Sequence, residues 1–375
     1  MKVLHVYRTY YPDPQGGLQE AIRQIALSSA SFGIESRIFA LSPDPHPSEI
    51  DRPEAHVIRC RAWAAPASCS LGGVTSFQRF AKLAKWADVI HYHFPWPFAD
   101  LLHLVVQPTT PAVMTYHSDI VRQRWLGRAY APLMRRMLRS MSAIVATSPA
   151  YAKTSPVLAN VENRDRVRII PLGIEELSYS YLDEDIIFQR LGLESGEPYF
   201  LFIGVLRYYK GLHTLVRAAA SIRARVVIAG SGPEFNALDV LVQQLGLKNV
   251  IFAGQISDSE KIALLRCCRA FVLPSHLRSE AYGMVLVEAS MFGKPMISCE
   301  IGTGTSFVNK DGETGLVVPP ESPQALAQAM NMLLIDEAAT QQFGRAARQR
   351  YETLFSGKVL GKAYAHLYND VYVRM

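Results

Sequence analysis

Two kinds of apolar pattern alternate along the chain. Short runs that are apolar throughout and rich in β-branched residues are separated by longer stretches whose apolar positions recur at helical spacing. In the first half, residues 3–7, 36–41, 88–92, 112–116, 143–147 and 167–170 predict strands, and residues 18–31, 74–86 and 124–140 predict helices. The second half repeats the series, with strands expected at 199–205, 226–229, 250–253, 270–273, 295–298 and 315–318. A strand that is apolar throughout is buried on both faces. Such strands joined by helices predict parallel sheets with helical cover on either side. Two series predict an α/β chain of two doubly wound, Rossmann-like domains facing across a cleft.

The seam is expected in the polar, acidic stretch between Gly173 and Glu197. That divides the chain into a first domain at 1–174, a linker at 175–196 and a second domain at 197–352, with a tail at 353–375. In the tail, Val359, Ala363, Leu367 and Val371 fall four residues apart, the signature of an amphipathic helix. This helix either caps the second domain or crosses back to the first.

Charge adds an asymmetry. The net charge of the 375 residues is +6, but residues 1–174 hold 20 Lys and Arg against 12 Asp and Glu, and the remainder 19 against 21. Residues 120–161 contain no acidic side chain, and Arg122, Arg124, Arg128, Arg135, Arg136, Arg139 and Lys153 lie there. Nucleic acid, an anionic membrane or an anionic acceptor would each suit that stretch. The five cysteines form no CxxC pair and are odd in number, so neither a zinc site nor a disulfide framework is expected. No apolar run approaches the roughly 18 residues that cross a bilayer. The N-terminus reads as a first strand and not as a leader, so a cytoplasmic location is expected.

Ligands of an open parallel sheet bind beyond the carboxyl ends of its strands, and four places there carry candidate chemistry. Gly16 and Gly17 precede a helix, where backbone can approach an anion closely; an ordinary strand-to-helix turn would look the same. His117 ends an apolar strand and could donate to a substrate hydroxyl, although His5, His91 and His93 stand at strand ends too and a satisfied core histidine is the plainer reading. Gly204 opens a turn with Arg207 and Lys210 before Gly211, two cations and two glycines that suit a diphosphate, or else a solvated basic turn. The most specific place is the stretch from Ser279 to Glu288. Glu280 precedes a helix that opens at Gly283, Met284 and Val285 with free N–H groups, and Glu288 follows within it.

At this last motif the sequence resembles the retaining glycosyltransferases of family 4, whose fold is termed GT-B. Their signature is two glutamates separated by seven residues with glycine third after the first, matched here by Glu280, Gly283 and Glu288. The flanks match as well: Phe271-Val272-Leu273-Pro274-Ser275, Gly293-Lys294-Pro295 and Asp311-Gly312-Glu313-Thr314-Gly315. The resemblance implies that Glu280 contacts hydroxyls of the donor sugar and Glu288 the ribose. It implies that Arg207 and Lys210 bind the diphosphate, that His117 approaches the transferred sugar, and that Gly16 and Gly17 lie against the donor phosphates. One position departs: the family's arginine directly follows the strand glycine, where Val205 stands here, and Arg207 is only three residues before Lys210.

The resemblance further implies retention of configuration by a front-face route and no metal or other cofactor. The literal DxD at Asp183-Glu184-Asp185 lies in the seam and reads as a solvated acidic turn. The runs Tyr208-Tyr209-Lys210-Gly211 and Glu300-Ile301-Gly302-Thr303-Gly304-Thr305 are similar to mannosyl- and rhamnosyltransferases of bacterial surface-polysaccharide assembly. That implies a nucleotide-sugar donor, GDP-linked first and UDP-linked next, and an oligosaccharide or glycolipid acceptor. Peripheral contact of residues 122–139 with an anionic membrane fits such an acceptor. A nucleotide-sugar epimerase is a rival, separable by an isomerised donor in the absence of acceptor. A basic nucleic-acid-binding protein is another, but no nucleic-acid motif accompanies the cations, and nucleic acid is not expected as a partner.

Overall fold

The protein is described by a computed structural model that covers residues 1–13, 16–65, 69–120, 124–161, 164–176, 185–194 and 196–374, with the backbone alone for 124–129 and 185. The chain forms two compact units. One comprises Met1–Glu175 and Gly357–Met375, the other Glu176–Ser356.

In the first unit, strand β1 (Lys2–Val6) leads through helix α1 (Gly17–Ala30) to β2 (Glu35–Ser42). Strands β3 (Glu49–Asp51), β4 (His56–Ala64) and β5 (Leu71–Gly72) follow, then α2 (Val74–Trp86) and β6 (Val89–Phe94). Helix α3 (Pro97–Val106), β7 (Ala112–Tyr116), α4 (Arg124–Ser140), β8 (Ala143–Ala146), α5 (Pro149–Thr154) and β9 (Val167–Ile169) complete the run. The sheet order is β3-β4-β2-β1-β6-β7-β8-β9, parallel except for the short β3 and β5, which pair antiparallel to β4. Tyr7, Tyr10, Ile22, Ile38, Ala40 and Val57 form a buried cluster between α1 and the β1–β2–β4 part of this sheet.

Strands β3 to β5 lie outside the expected series. The pattern at 56–64 is broken by Arg59 and Arg61. Arg59 is nevertheless buried, donating to Asp13 (3.2 Å), to Ser42 Oγ (2.7 Å) and to the carbonyls of Pro47 and Asp44. A strand whose charge is neutralised inside does not read as a strand from its apolar pattern.

The second unit begins at Glu176, so residues 185–194 belong to it and not to a free linker. Helix α6 (Asp185–Leu191) buries Ile187, and Arg190 of α6 pairs with Glu260 at 2.8 Å. Asp183 and Glu184 of the DxD stretch, and the side chain of Asp185, lie outside the described residues. Strands β10 (Tyr199–Ile203), β11 (Arg225–Ala229), β12 (Val250–Gly254), β13 (Ala270–Leu273), β14 (Met296–Cys299) and β15 (Gly315–Val318) are all parallel, in the order β12-β11-β10-β13-β14-β15. This is the doubly wound order, with its reversal between β10 and β13. The connecting helices are α7 (Leu212–Ala219), α8 (Phe235–Gln244), α9 (Asp258–Cys267), α10 (Met284–Met291) and α11 (Thr305–Val308), followed by α12 (Pro323–Ile335) and α13 (Glu337–Arg350).

Helix α14 (Gly357–Val373) returns to the first unit and packs along α1. Its buried face is Leu360, Gly361, Tyr364, Leu367, Tyr368 and Val371. Of the four apolar positions expected to face inward, Leu367 and Val371 are buried and Val359 and Ala363 half-buried. The face is turned towards the glycine and the tyrosines, because two backbones meet there and two hydroxyls find partners inside. A Cβ at Gly361 would stand 2.0 Å from the Ser28 carbonyl oxygen of α1. Gly361→Ala therefore lowers the stability of the first unit by about 1–3 kcal/mol, the usual cost of overpacking, while the exposed Lys362→Ala leaves it within about 0.5 kcal/mol. Trp63, Trp86, Trp96 and Trp125, all four tryptophans of the chain, lie in that unit. Tryptophan fluorescence during urea unfolding therefore reports the difference directly.

Candidate functional site

In the second unit the candidate residues gather where β10 and β13 end. Gly204 leaves β10 with φ 155°, and its loop is crossed by the loop after β11: a Cβ at Gly230 would stand 2.1 Å from the Gly204 carbonyl oxygen. The chain then turns through a short 3-10 segment, Tyr208–Lys210, into Gly211 at φ 68°. A Cβ on Gly211 would lie 2.0 Å from the Pro274 carbonyl oxygen, so only glycine lets this turn rest on the exit of β13. The Tyr209 carbonyl accepts from the His276 N–H at 3.0 Å, joining the two loops.

That contact delivers Lys210 to Glu280. Both side chains are buried, and Lys210 Nζ lies 2.5 Å from Glu280 Oε2, which also accepts from Ser275 Oγ at 3.3 Å. Burial works against the Lys210 charge, but the Glu280 carboxylate outweighs it and holds the ammonium above its ordinary pKa; the nearby Arg207 subtracts from this. A buried ion pair that lacks one member is costly, so each residue fixes the other. Glu288 is buried in α10, and Lys261 of α9 donates to its Oε1 at 3.0 Å. Gly283, at φ 83°, caps the start of α10, and the N–H groups at this end lack intrahelical acceptors.

Arg207 is not drawn into the pair. It is exposed, as is Val205, with Leu206 buried between them. The backbone at Arg207 is extended as the chain enters the 3-10 turn. Two residues here carried no sequence expectation. Lys261 is one. The other is His276, buried beside Tyr208 and His213; among the described residues neither of its ring nitrogens has a hydrogen-bond partner. Its position directly after Pro274-Ser275, at a strand's carboxyl end, was the signal available. A cavity of 920 Å³ lies at the opposite edge of this sheet, lined by Pro198, Arg269 and Pro295 where strands enter. That is the wrong edge for a ligand of a doubly wound sheet.

In the first unit, Gly16 and Gly17 are exposed at the start of α1. A Cβ on Gly17 would meet nothing within 4 Å, so packing within the chain does not demand glycine there. His117 follows β7 and is buried at the end of a line of imidazoles. His117 Nε2 lies 3.0 Å from His93 Nδ1, and His93 Nε2 lies 3.1 Å from His5 Nδ1. His91 packs at a tilt against His93, ring centroids 4.2 Å apart, and is held by the Tyr368 hydroxyl and Thr115 Oγ1, each at 2.7 Å. Thr115 Oγ1 in turn meets the Tyr364 hydroxyl at 2.8 Å. Helix α14 thus closes a polar stripe under the sheet. Nitrogens of His5, His91 and His93 all lie within 4.8 Å of one another, a spacing compatible with a cation, but here those nitrogens are engaged with each other and with hydroxyls.

Burial removes the charge from these rings. It lowers His5 and His117 to about 3, and lowers His91 and His93 well below their ordinary value, where the neighbouring imidazoles add to the effect. In helix α4, Arg135, Arg136 and Arg139 are exposed, Met137 and Leu138 are buried, and Tyr130 and Leu133 are half-buried. The Tyr130 hydroxyl donates to Asp100, whose carboxyl burial raises to about 8. Arg122, and the side chains of Arg124, Trp125, Leu126 and Arg128, lie outside the described residues.

Residues 16–173 match the model of the glycosyl transferase 4-like domain, and residues 183–350 that of the glycosyl transferases group 1. The chain is 42% identical to the O-antigen chain mannosyltransferase C of Escherichia coli, over 99% of each chain. It is 46% identical to the D-rhamnosyltransferase WbpZ of Pseudomonas aeruginosa, over 95% of this chain and 92% of that one. Among solved structures it is similar to sucrose-phosphate synthase of Thermosynechococcus elongatus, with a TM-score of 0.82, 24% identity and full coverage of both chains. The GT-B fold expected from the motifs is that of this neighbour.

The buried histidines make a pH prediction. His5, His91, His93, His103 and His117 all titrate lower in the fold than their ordinary value, so the unfolded chain binds more protons below about pH 6.5. Their contribution is fully present above that pH and is lost as pH falls towards the folded values. Asp100, raised by burial, acts in the opposite sense but is one group against five. Urea titration followed by tryptophan fluorescence is expected to lose a few kcal/mol between about pH 7 and pH 5. A flat profile would mean that these rings carry charge in the fold.

Proposed function

The chain belongs to the glycosyl transferase group 1 family with a 4-like first domain, and from that premise we propose that it moves a hexose of mannose or rhamnose type from a nucleoside-diphosphate sugar to a saccharide acceptor in surface-polysaccharide assembly. Transfer retains the anomeric configuration and needs no metal. The observation that carries the site assignment is the buried Lys210–Glu280 pair at the carboxyl ends of β10 and β13. A cation held there, beside the first-turn N–H groups of α10, suits the charge that develops on a leaving diphosphate. Glu280 and Glu288 serve hydroxyls, of the sugar and the ribose respectively. Arg207 stands in for the family arginine, a role supported by its exposure, like that of Val205, next to buried Leu206. Gly16 and Gly17 approach the donor phosphates, and His117 the transferred sugar. In the front-face route the departing diphosphate, stabilised by Lys210, Arg207 and helix N-termini, accepts the acceptor's proton. GDP-linked sugar is the favoured donor and UDP-linked sugar the next. Conversion of donor to an epimer without acceptor would support the rival reading.

Calorimetry with GDP and UDP and a radiolabelled transfer assay test the roles. Lys210→Ala and Glu288→Ala are expected to weaken nucleoside-diphosphate binding about tenfold or more, ~1.4 kcal/mol each. Glu280→Gln is expected to lower turnover more than affinity. Turnover is expected to persist in EDTA. Unchanged affinity in both of the first two variants, or turnover that chelation abolishes and manganese restores, overturns the assignment.

The acceptor is a lipid-linked saccharide, and the enzyme meets it as a peripheral protein on an anionic leaflet. No helix among the described residues is long and apolar enough to cross a membrane. Support comes from the exposed Arg135, Arg136 and Arg139 of α4, and from a pocket of 310 Å³ where Arg139, Arg166, Arg168 and Arg374 gather about a single acid, Asp370. Each cation near an anionic surface contributes about 1 kcal/mol. Sedimentation with anionic liposomes is expected at low salt and lost at high salt, and Arg135→Glu with Arg136→Glu is expected to weaken it. Binding to neutral liposomes alike, or none at low salt, refutes the electrostatic docking.

A further inference from the structure

The imidazole line raises a question of protons. Three rings joined head to tail share two contacts, His117 Nε2 to His93 Nδ1 and His93 Nε2 to His5 Nδ1. Each contact holds one proton when the rings are neutral, and each neutral ring carries one. All three rings must therefore have the same tautomer. In one arrangement the proton sits on every Nε2. The last of them, on His5, then points at Ser36 Oγ 3.5 Å away, beyond a sound N–H···O bond, and a buried N–H goes unmet. In the other arrangement the proton sits on every Nδ1, and the unshared N–H is that of His117 at the opposite end of the line, a nitrogen that is not among the fully buried atoms lacking a partner in the described residues. His5 Nε2 is then a bare lone pair facing the Ser36 hydroxyl, whose proton can rotate towards it, and an under-satisfied acceptor costs less than an orphaned N–H.

We propose that His93, backed by His5, is a positioning residue for His117: the chain of hydrogen bonds fixes His117 in the Nδ1–H tautomer and makes it a donor, not an acceptor, towards the sugar that is transferred. The proposal rests on the reading of His117 given above. It goes further in naming two buried residues that act through it and the sense of the hydrogen bond it makes. The surroundings agree with a fixed neutral line. His5 packs on His91 at 5.0 Å and on His93 at 5.4 Å, and Tyr7 sits edge-on to His93 at 6.5 Å. His91 is pinned from below by Tyr368 and Thr115, so the stack cannot turn to exchange partners without breaking those bonds. Burial, which holds all four rings neutral, keeps the count at one proton each.

Two measurements test this. The first is the tautomer itself, read from the ring nitrogen shifts of the full chain labelled with nitrogen-15 histidine, with His117→Ala to assign the signal. His117 is expected to show a protonated Nδ1 and a bare Nε2 near neutral pH. The second is kinetic. His93→Phe keeps a ring in the stack but cannot donate. It is expected to lower kcat about tenfold, ~1.4 kcal/mol, to leave KM for the nucleotide sugar within about twofold, and to free His117 into the other tautomer. His93→Asn returns an N–H near the Nδ1 position and is expected to recover most of the loss together with the Nδ1–H signature. An Nε2–H or doubly protonated His117 in the unmutated protein overturns the proposal, whether or not any variant folds. So does a folded His93→Phe that keeps both kcat and tautomer. If instead the tautomer is as stated but His117→Ala turns over normally, the placement of His117 at the sugar fails while the fixed tautomer stands.

Discussion

A hydrogen-bonding group taken out of water is costly unless it finds a partner inside the protein, and the central strands of the first unit are organised around that constraint. The first sheet carries His5, His91 and His93 in its central strands, where an α/β domain ordinarily places Val or Ile. Those rings are tolerable only neutral and bonded. Their bonds run sideways to each other, upward to His117 and downward to the hydroxyls of Thr115 and Tyr368. Tyr368 and Tyr364 belong to α14, so the last helix is held to the first unit by polar satisfaction as well as by the close approach at Gly361.

The second unit meets the same constraint with charge. Lys210 and Glu280 are both too buried to stand alone, and each makes the other acceptable. What brings them together is backbone proximity. Gly211 and Gly230 occur where one loop rests on another at a distance that any Cβ would forbid, Gly211 on the Pro274 carbonyl and Gly230 on that of Gly204. The site is therefore built from glycines that allow contact and from ions that need it, at the one place where the strand order reverses.

Much of this was legible in the sequence. The twelve expected strands all occur, and β7, β13 and β15 have the expected bounds. Fully apolar runs of four or five residues admit little else. Of the three missed strands, β5 is only two residues long, and β3 and β4 have patterns broken by charge: β4 contains Arg59, made apolar in effect only by Asp13 and three other oxygens from distant segments. Helix α14 is visible in the spacing of Val359, Ala363, Leu367 and Val371, but Gly361 and Tyr364 decide its inward face, since a glycine contact carries no hydrophobic signal. At the site, Glu280 and Glu288 stand out through the family signature and Lys210 through its place after a strand glycine; the structure buries all three and pairs Lys210 with Glu280. Lys261 does not stand out, being a single residue whose meaning comes only from what it touches, and His276 offers only its place directly after Pro274-Ser275. The line of histidines was visible as four separate strand-end rings and illegible as a line, because strand order and register are what put them side by side.

The path of the chain has a temporal consequence. The second unit is one unbroken segment, 176–356, whereas the first is interrupted by it and resumes at Gly357. On a ribosome, which releases residues in order, the second unit can close while the first still lacks α14. Throughout that interval His91 and Thr115 have no tyrosine to bond, and the groove along α1 lies open to water. The first-made half of the enzyme is thus the last to be finished. A chain stalled or cut before residue 357 would leave a complete second unit attached to a first unit whose histidine face is still unsealed.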